Sequence, residues 1–314
     1  MKRLIALLML LCLLPFAALA EDAQVVYNRT KNLTEEYVFP EGTPILEIFF
    51  PRVYSSDCAI IRFGEETMMI DASTLNKKMQ SRILTAIQSI GVTEIDTAFN
   101  SHPHDDHIDG FVPVDAHTPI RQMILTFEED FDSHMKTVVK YCNAQEIPIF
   151  HVGDGDVIAM GPGGEVTMRV IQRNDTGKWS ANDRSAMLLI QYGERTILFA
   201  GDVENRAQKS YYTNVPEGGI KADILKYPHH GQVKLDDRFL EQIDPEFVFM
   251  NGASGVMEGA KKYLNKHKIP YIIGYDGLTR MRTDGSIWVV DYVHEVETDR
   301  ATKNPSYQTT TDVP

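Results

Sequence analysis

The stretch Ser101-His102-Pro103-His104-Asp105-Asp106-His107-Ile108-Asp109-Gly110 decides how the rest of the chain is read. It follows residues 95–99, which read as a strand, so the cluster begins at a strand end. In an extended chain residues two apart point to the same side, which places His102 and His104 to grip one ion. A helix starting near Asp105 turns Asp106 and His107 toward a second position close by. Imidazole nitrogens and carboxylates together suit zinc first, and also manganese or iron. With ten histidines in 314 residues, three at these fixed spacings arise by chance in roughly one such chain in a hundred. A helix N-cap accounts for an aspartate here, but not for three histidines.

Working outward, two further strand ends carry residues of the same kind. The run 196–200 is strongly apolar and ends at Gly201-Asp202, where an aspartate has no packing role and a carboxylate can bridge two ions. The run 222–226 leads into Pro228-His229-His230-Gly231. Asp71 also ends an apolar run, 68–70, and reads either as a turn residue or as a carboxylate that orients a ligand histidine or a water. The surroundings alternate between strand and helix. Runs 45–50, 58–63 and 68–70 form a meander, a helical spacing occupies 75–90 before Gly91, and strands and a helix follow at 122–125, 133–144 and 147–152. Residues 153–164 are rich in glycine and read as turns, and 174–184 as a loop. A second pair of strands, 186–192 and 196–200, precedes strands or helices at 222–226, 237–243, 247–250, 259–266 and 271–273, with a last strand at 286–292. Two meanders, each followed by helix–strand units, predict an α/β fold of two packed sheets with helices outside.

Composition bounds the class. A chain with 43% hydrophobic and 24% charged residues is neither disordered nor fibrous. Met1-Lys2-Arg3 precedes an uncharged run over 4–20 that closes Ala18-Leu19-Ala20, the pattern of a secretory signal peptide cleaved after Ala20. The expected organisation is a signal peptide at 1–20, one catalytic-type domain at 21–297 and a disordered tail at 298–314, secreted or extracytoplasmic, with no membrane span after cleavage. Loss of Lys2 and Arg3 takes the net charge from −13 to −15, a surface that repels long nucleic acid. Cys58 and Cys142 remain as thiols or as a pair. The oligomeric state is not readable from the sequence.

His102-Pro103-His104-Asp105-Asp106-His107 resembles the His-x-His-x-Asp-His signature of the metallo-β-lactamase superfamily, and the order Asp71, signature, Gly201-Asp202, His229-His230-Gly231 is similar to that family's pattern. Within it, Asn182 to Leu188, Phe199 to Glu204 and Leu225 to Gly231 resemble the branch of the DNA-internalisation competence proteins and the phosphorylcholine esterases. The resemblance covers roughly residues 45–290 and implies a four-layer αβ/βα sandwich with the site where both sheets end. It also favours His230 over His229 as the last ligand, since His230 directly precedes the glycine. The β-lactamase and glyoxalase branches add another histidine before the bridging aspartate. Here His117, His134 and His151 are the candidates, none at a convincing strand end. Asn182 and Ser185 stand at the expected place.

The expected chemistry is hydrolysis by a metal-bound hydroxide at a site of two divalent ions, zinc by preference and manganese as the other choice. His102 and His104 hold one ion, Asp106, His107 and His230 the other, and Asp202 bridges them. His229 touches substrate or gives a proton. Glu204 either reaches the pocket or begins a helix as a dipole-matched acid. Asp71, Asn182 and Ser185 stand behind the ligands or at the substrate. The preferred substrate is a small or headgroup phosphodiester rather than long nucleic acid. Ester, thioester or lactam hydrolysis is the alternative reaction, and an exported metal- or ligand-binding module the non-enzymatic one.

Overall fold

The computed structural model describes residues 25–27, 37–173, 179–252, 255–274 and 277–293. The signal segment 1–20 and the tail 298–314 lie outside the described residues. The first half runs β1 (Val25–Tyr27), β2 (Leu46–Phe50), β3 (Cys58–Phe63), β4 (Glu66–Ala72), α1 (Lys77–Ser89), β5 (Thr97–Asn100), α2 (Asp105–Ile108), α3 (Phe111–Asp115), β6 (Met123–Leu125), α4 (Ser133–Ala144) and β7 (Ile149–His151). The second half runs β8 (Val157–Met160), β9 (Val166–Ile171), β10 (Met187–Tyr192), β11 (Arg195–Phe199), α5 (Asn205–Thr213), β12 (Ile224–Lys226), α6 (Asp237–Ile243), β13 (Phe247–Met250), α7 (Glu258–His267), β14 (Tyr271–Ile273), β15 (Leu278–Thr283) and β16 (Trp288–Val293).

Alternation along the strands builds the layers. In β2, Leu46, Ile48 and Phe50 enter a core shared with Leu188, Ile190, Phe199 and Phe249 of the other sheet, while Phe49 faces the opposite way, toward α1. Phe50 and Phe249 stack at 4.1 Å across the gap. The outer face of the first sheet packs Met79, Ile83 and Val138 of α1 and α4, and the outer face of the second packs Ala207, Phe239 and Leu264 of α5, α6 and α7. The helices start where the chain supplies caps: Asn76 Oδ1 accepts from Lys78 N and Met79 N, and Asp132 Oδ1 from Met135 N. The result is the four-layer sandwich that the pattern of elements predicts.

One sheet has the order β1-β16-β15-β2-β3-β4-β5-β6-β7 and the other β14-β13-β12-β11-β10-β9-β8. Each is antiparallel where hairpins feed it and parallel where helices cross over, β4 to β7 in one and β11 to β14 in the other. Several elements depart from the sequence reading. The glycine-rich stretch 153–164 holds β8 and leads into β9, a hairpin at the sheet edge; Val157 of β8 is exposed, so its alternation is weak. Residues 278–283 form β15, which with β16 carries the chain back to pair with β2 of the first sheet. Residues 205–213 form α5, a helix whose polar outer face hides its period. Cys58 and Cys142 are buried free thiols. Among the described residues no helix is long and apolar enough to cross a membrane.

Candidate metal centre

The chain delivers its ligand-type side chains at the C-terminal ends of parallel strands, where loops leave the sheets. After β5 the chain bends at Ser101 and His102 and reaches His104, whose φ of −67° and ψ of 149° make it the N-cap of α2, so the change from extended to helical backbone falls within the signature. Gly110 closes this turn against the Ala72 carbonyl, a contact that a Cβ would block. After β12 the backbone is left-handed at His229 (φ 48°), His230 (φ 51°) and Gly231 (φ 78°), and Asp71 is left-handed as well (φ 53°). Non-glycine residues held in this region cost free energy and cluster where function needs a fixed side-chain direction.

The side chains converge on one carboxylate oxygen. Asp202 Oδ2 lies 3.3 Å from His107 Nε2, 3.4 Å from His230 Nε2, and 3.8 Å from both His102 Nε2 and His229 Nε2. His104 Nδ1 is 3.1 Å from His102 Nε2. Asp106 Oδ2 is 3.1 Å from His230 Nε2, and its Oδ1 is 3.9 Å from His107 Nε2. Donor atoms about 2.0–2.1 Å from one tetrahedral ion lie about 3.3 Å from one another, which is the spacing seen here. His107 Nε2, both ring nitrogens of His230 and Asp202 Oδ1 are buried without a hydrogen-bond partner. Native proteins rarely leave such atoms unsatisfied, so the donor set fits bound cations.

Electrostatics agrees. Burial disfavours the imidazolium of His107 and of His230, yet the carboxylates around them, Asp202 first, outweigh it and raise both well above the usual histidine range. Burial raises the carboxyl of Asp202, but His230 and His107 hold it well below the ordinary value, and Asp106 falls to about 2 against burial through His230 and His107. His102 and His104 are lowered by burial and by His107. The pocket therefore favours positive charge between its carboxylates.

The structure brings together His102, His104, Asp106, His107, Asp202, His229 and His230. Behind them, His107 Nδ1 sits 2.8 Å from Asp71 Oδ2, so Asp71 orients a ligand-type histidine instead of serving only as a turn residue. Ser185 Oγ meets His102 Nδ1 at 3.1 Å and accepts from Asp202 N. Glu204 precedes α5 but caps nothing with its side chain; Oε1 accepts from Asn182 Nδ2 at 3.0 Å and lies 3.2 Å from His229 Nδ1. Of its two expected roles, Glu204 takes the one facing the pocket. The three further candidates from the sequence have other partners: His134 pairs with Asp109, His117 with the Pro113 carbonyl, and His151 ends β7 but turns to Glu129.

Sequence reading missed Asp57, which directly precedes β3. Asp57, His107, Asp202 and His230 each place a donor-type atom within 4.8 Å of the others, all buried. Asp57 is paired with Lys226 and accepts from Asn251 Nδ2. One signal was available: Lys226 follows the apolar pair Ile224-Leu225 at the end of a strand run, and a lysine buried there demands a counter-charge.

Residues 51–134, which contain the signature, match the model of the metallo-beta-lactamase superfamily. Over that stretch the chain is similar to the superfamily. In fold it is similar to the CmlA beta-hydroxylase E377D mutant, with a TM-score of 0.50 and 15% identity over 79% of this chain and 55% of that one. The chain thus spans about half the length of that hydroxylase, whose parent is described as a diiron beta-hydroxylase from Streptomyces venezuelae. A putative metal-dependent hydrolase from Parabacteroides distasonis superposes with a TM-score of 0.48 and 13% identity, covering 73% of this chain and 93% of that one. MEM-A1, a subclass B3 metallo-beta-lactamase from a soil metagenome library, gives 0.43 and 14%, covering 70% and 93%. No curated protein sequence matches the chain. The superfamily match, the two mixed sheets and the candidate metal cluster stand together.

Proposed function

We propose that this chain is an exported metal-dependent hydrolase that cleaves a phosphodiester at a site for two divalent cations. The observation that carries the reading is the single oxygen Asp202 Oδ2 within 3.3–3.8 Å of four imidazole nitrogens, beside buried donor atoms that nothing else satisfies. In this reading His102 and His104 hold one cation, Asp106, His107 and His230 the other, and Asp202 lies between them. When bound, such cations supply Lewis acidity, lower the pKa of a water and neutralise charge on substrate oxygens.

The chain's own residues do the rest. Glu204 Oε1 faces His229 Nδ1 and accepts its proton in a hydrogen bond, so Nε2, on the Asp202 side, takes the proton released by the attacking water and hands it on to the leaving oxygen. Asn182 steadies Glu204 from behind. Ser185 and Asp71 fix the rings of His102 and His107, and both rings are fully buried, so water is kept from their Nδ1 sides. Support for an anionic substrate comes from the loop carrying His230: Gly231 and Gln232 border a groove of about 340 Å³ lined also by Lys234, Lys262 and Lys266 beside apolar side chains. On a chain of net charge −13, such a local basic groove attracts phosphate while the remaining surface repels long polyanions. The motifs around Asn182, Phe199 and Leu225, which resemble the competence-protein and phosphorylcholine-esterase branch, favour the same reaction class. Export rests on the N-terminal pattern at 1–20, and N-terminal sequencing of the protein recovered outside the cytoplasm should find Glu21 first.

The test is a substrate panel run on the protein freed of metal and reloaded with zinc or manganese. Turnover of a bis-aryl phosphodiester that vanishes with chelator is the expected result. Turnover restricted to ester, thioester or lactam substrates would discard the phosphodiester assignment while keeping the metal one.

A further inference from the structure

Two carboxylates, not one, stand behind the imidazoles of the metal centre. Asp71 Oδ2 meets His107 Nδ1 at 2.8 Å. On the other side of the site, Asp57 Oδ1 lies 3.3 Å from His230 Nδ1, while His230 Nε2 faces Asp106 and Asp202. Asp57 is also 4.0 Å from the Nδ1 of His107, the face of that ring already occupied by Asp71. Asp57 therefore sits on the outer side of both rings, although it belongs to the cluster of donor atoms. Its own oxygens are committed as well: Lys226 Nζ pairs with Oδ2, and Asn251 Nδ2 donates to Oδ1 and to the Ser56 carbonyl.

These partners come from different sheets. Asp57 precedes β3 in the first, whereas Lys226 ends β12 and Asn251 follows β13 in the second. The Asp57 backbone is tied in too, N–H to the Asp106 carbonyl at 3.1 Å and carbonyl to Ser73 N at 2.7 Å. Asp57, Lys226, Asp71 and Ser101 all border one internal void of about 10 Å³, room for one water at most.

We propose that Asp57, clamped across the sheets by Lys226 and Asn251, is the positioning residue for His230, fixing its ring so that Nε2 points into the metal centre. The inference rests on the metal reading above. With Lys226 paired to its Oδ2 and Asn251 donating to its Oδ1, the Asp57 carboxylate is held with Oδ1 3.3 Å from the His230 nitrogen that points away from the metal centre. Ligand imidazoles generally need such an acceptor for the nitrogen that does not face the metal. Lys226 makes the arrangement tolerable, because a lone carboxylate buried at this depth would be strongly unfavourable.

The test follows cobalt binding rather than turnover. Full-length protein, Asp57→Asn, and the double variant Asp57→Asn/Lys226→Met are stripped of metal and titrated with Co(II) against a competing chelator. The double variant leaves no unpaired buried charge and should keep a cooperative melt without metal. Both variants should bind one of the two ions about 10–100-fold more weakly, with a shifted visible band, and reach the wild-type stoichiometry at saturation. In the wild-type Co(II) protein, slowly exchanging, paramagnetically shifted imidazole N–H protons are expected on Nδ1 of His107 and of His230, beside that of the buried His102. This second measurement decides the matter even where a variant fails to fold. Wild-type affinity and spectrum in Asp57→Asn would overturn the assignment, as would a missing or fast-exchanging His230 proton. A stoichiometry lowered by one at saturation would make Asp57 a ligand and overturn it as well. If the wild-type protein binds no Co(II), the metal reading itself fails and takes this inference with it.

Discussion

The two sides of the metal centre are built differently. On the side of the first sheet, His102, His104, Asp106 and His107 leave one strand end within six residues, and the carboxylate behind them, Asp71, receives only uncharged donors: Asn100 Nδ2 at 3.1 Å, Ser101 N at 2.8 Å and Ser101 Oγ at 2.6 Å, besides the His107 ring. On the side of the second sheet, Asp202 and His230 come from separate strand ends, the backbone at His229 and His230 is left-handed, and the carboxylate behind His230 is paired with a lysine. Contiguous sequence suffices for the first side. The second exists only once β11, β12 and β13 lie side by side and the sheets close on each other.

The largest effect that separates the sides should come from His229. If the second side supplies the proton, His229→Gln lowers kcat by about 10²–10⁴-fold with metal content unchanged. Steady-state kinetics alongside elemental analysis checks this. Unchanged kcat would reduce the second side to ligands alone and leave the Glu204–His229 contact as packing.

The first side is probed through its own orienting acid. Asp71→Asn keeps the shape but replaces an acceptor oxygen with a donor facing His107 Nδ1, so affinity for one ion should fall about 10–100-fold. Competition titration reads it directly. Asp71 is held by neutral donors, so no cation is left unpaired and the variant should fold without a second substitution. That contrasts with Asp57→Asn, which strands Lys226 in a buried position. A misfolded Asp71→Asn beside a well-folded Asp57→Asn would reverse the distinction drawn between the two.

The same division explains what could be read from the chain. His102 to His107 declare themselves because spacing in sequence is spacing in space across a strand–helix turn. Asp202 and His230 could be inferred only as ligand types at strand ends, since convergence belongs to the tertiary fold. Glu204 was ambiguous because a helix start and a pocket wall call for the same residue; the contact with His229 resolves it. β8 and β9 were obscured by glycines that belong to hairpin turns, and β15 pairs with β2 and β16 with β1, each more than 200 residues earlier, partners that no local pattern names. Asp57 went unread because one acid before a strand has many explanations until Lys226 and Asn251 are placed around it.

The smallest effect concerns the turn that aims the second side. Gly231 has φ of 78°, and a Cβ built there would meet Met257 Cγ at 2.8 Å. Gly231→Ala must therefore adopt a left-handed conformation that alanine disfavours and displace a methionine side chain, which together cost about 1–3 kcal/mol of folding stability. Met257 is flexible enough to give way, so the fold should survive and the cost should appear as a lower melting temperature. The informative comparison is between that loss measured without metal and with zinc bound. Were the turn rigid only to hold His230 in place, zinc would widen the gap between variant and wild type, because the strained ring position is what the ion selects. Equal losses in both states would mean that the left-handed run serves chain reversal after β12 and that His230 is aimed by Asp57 instead.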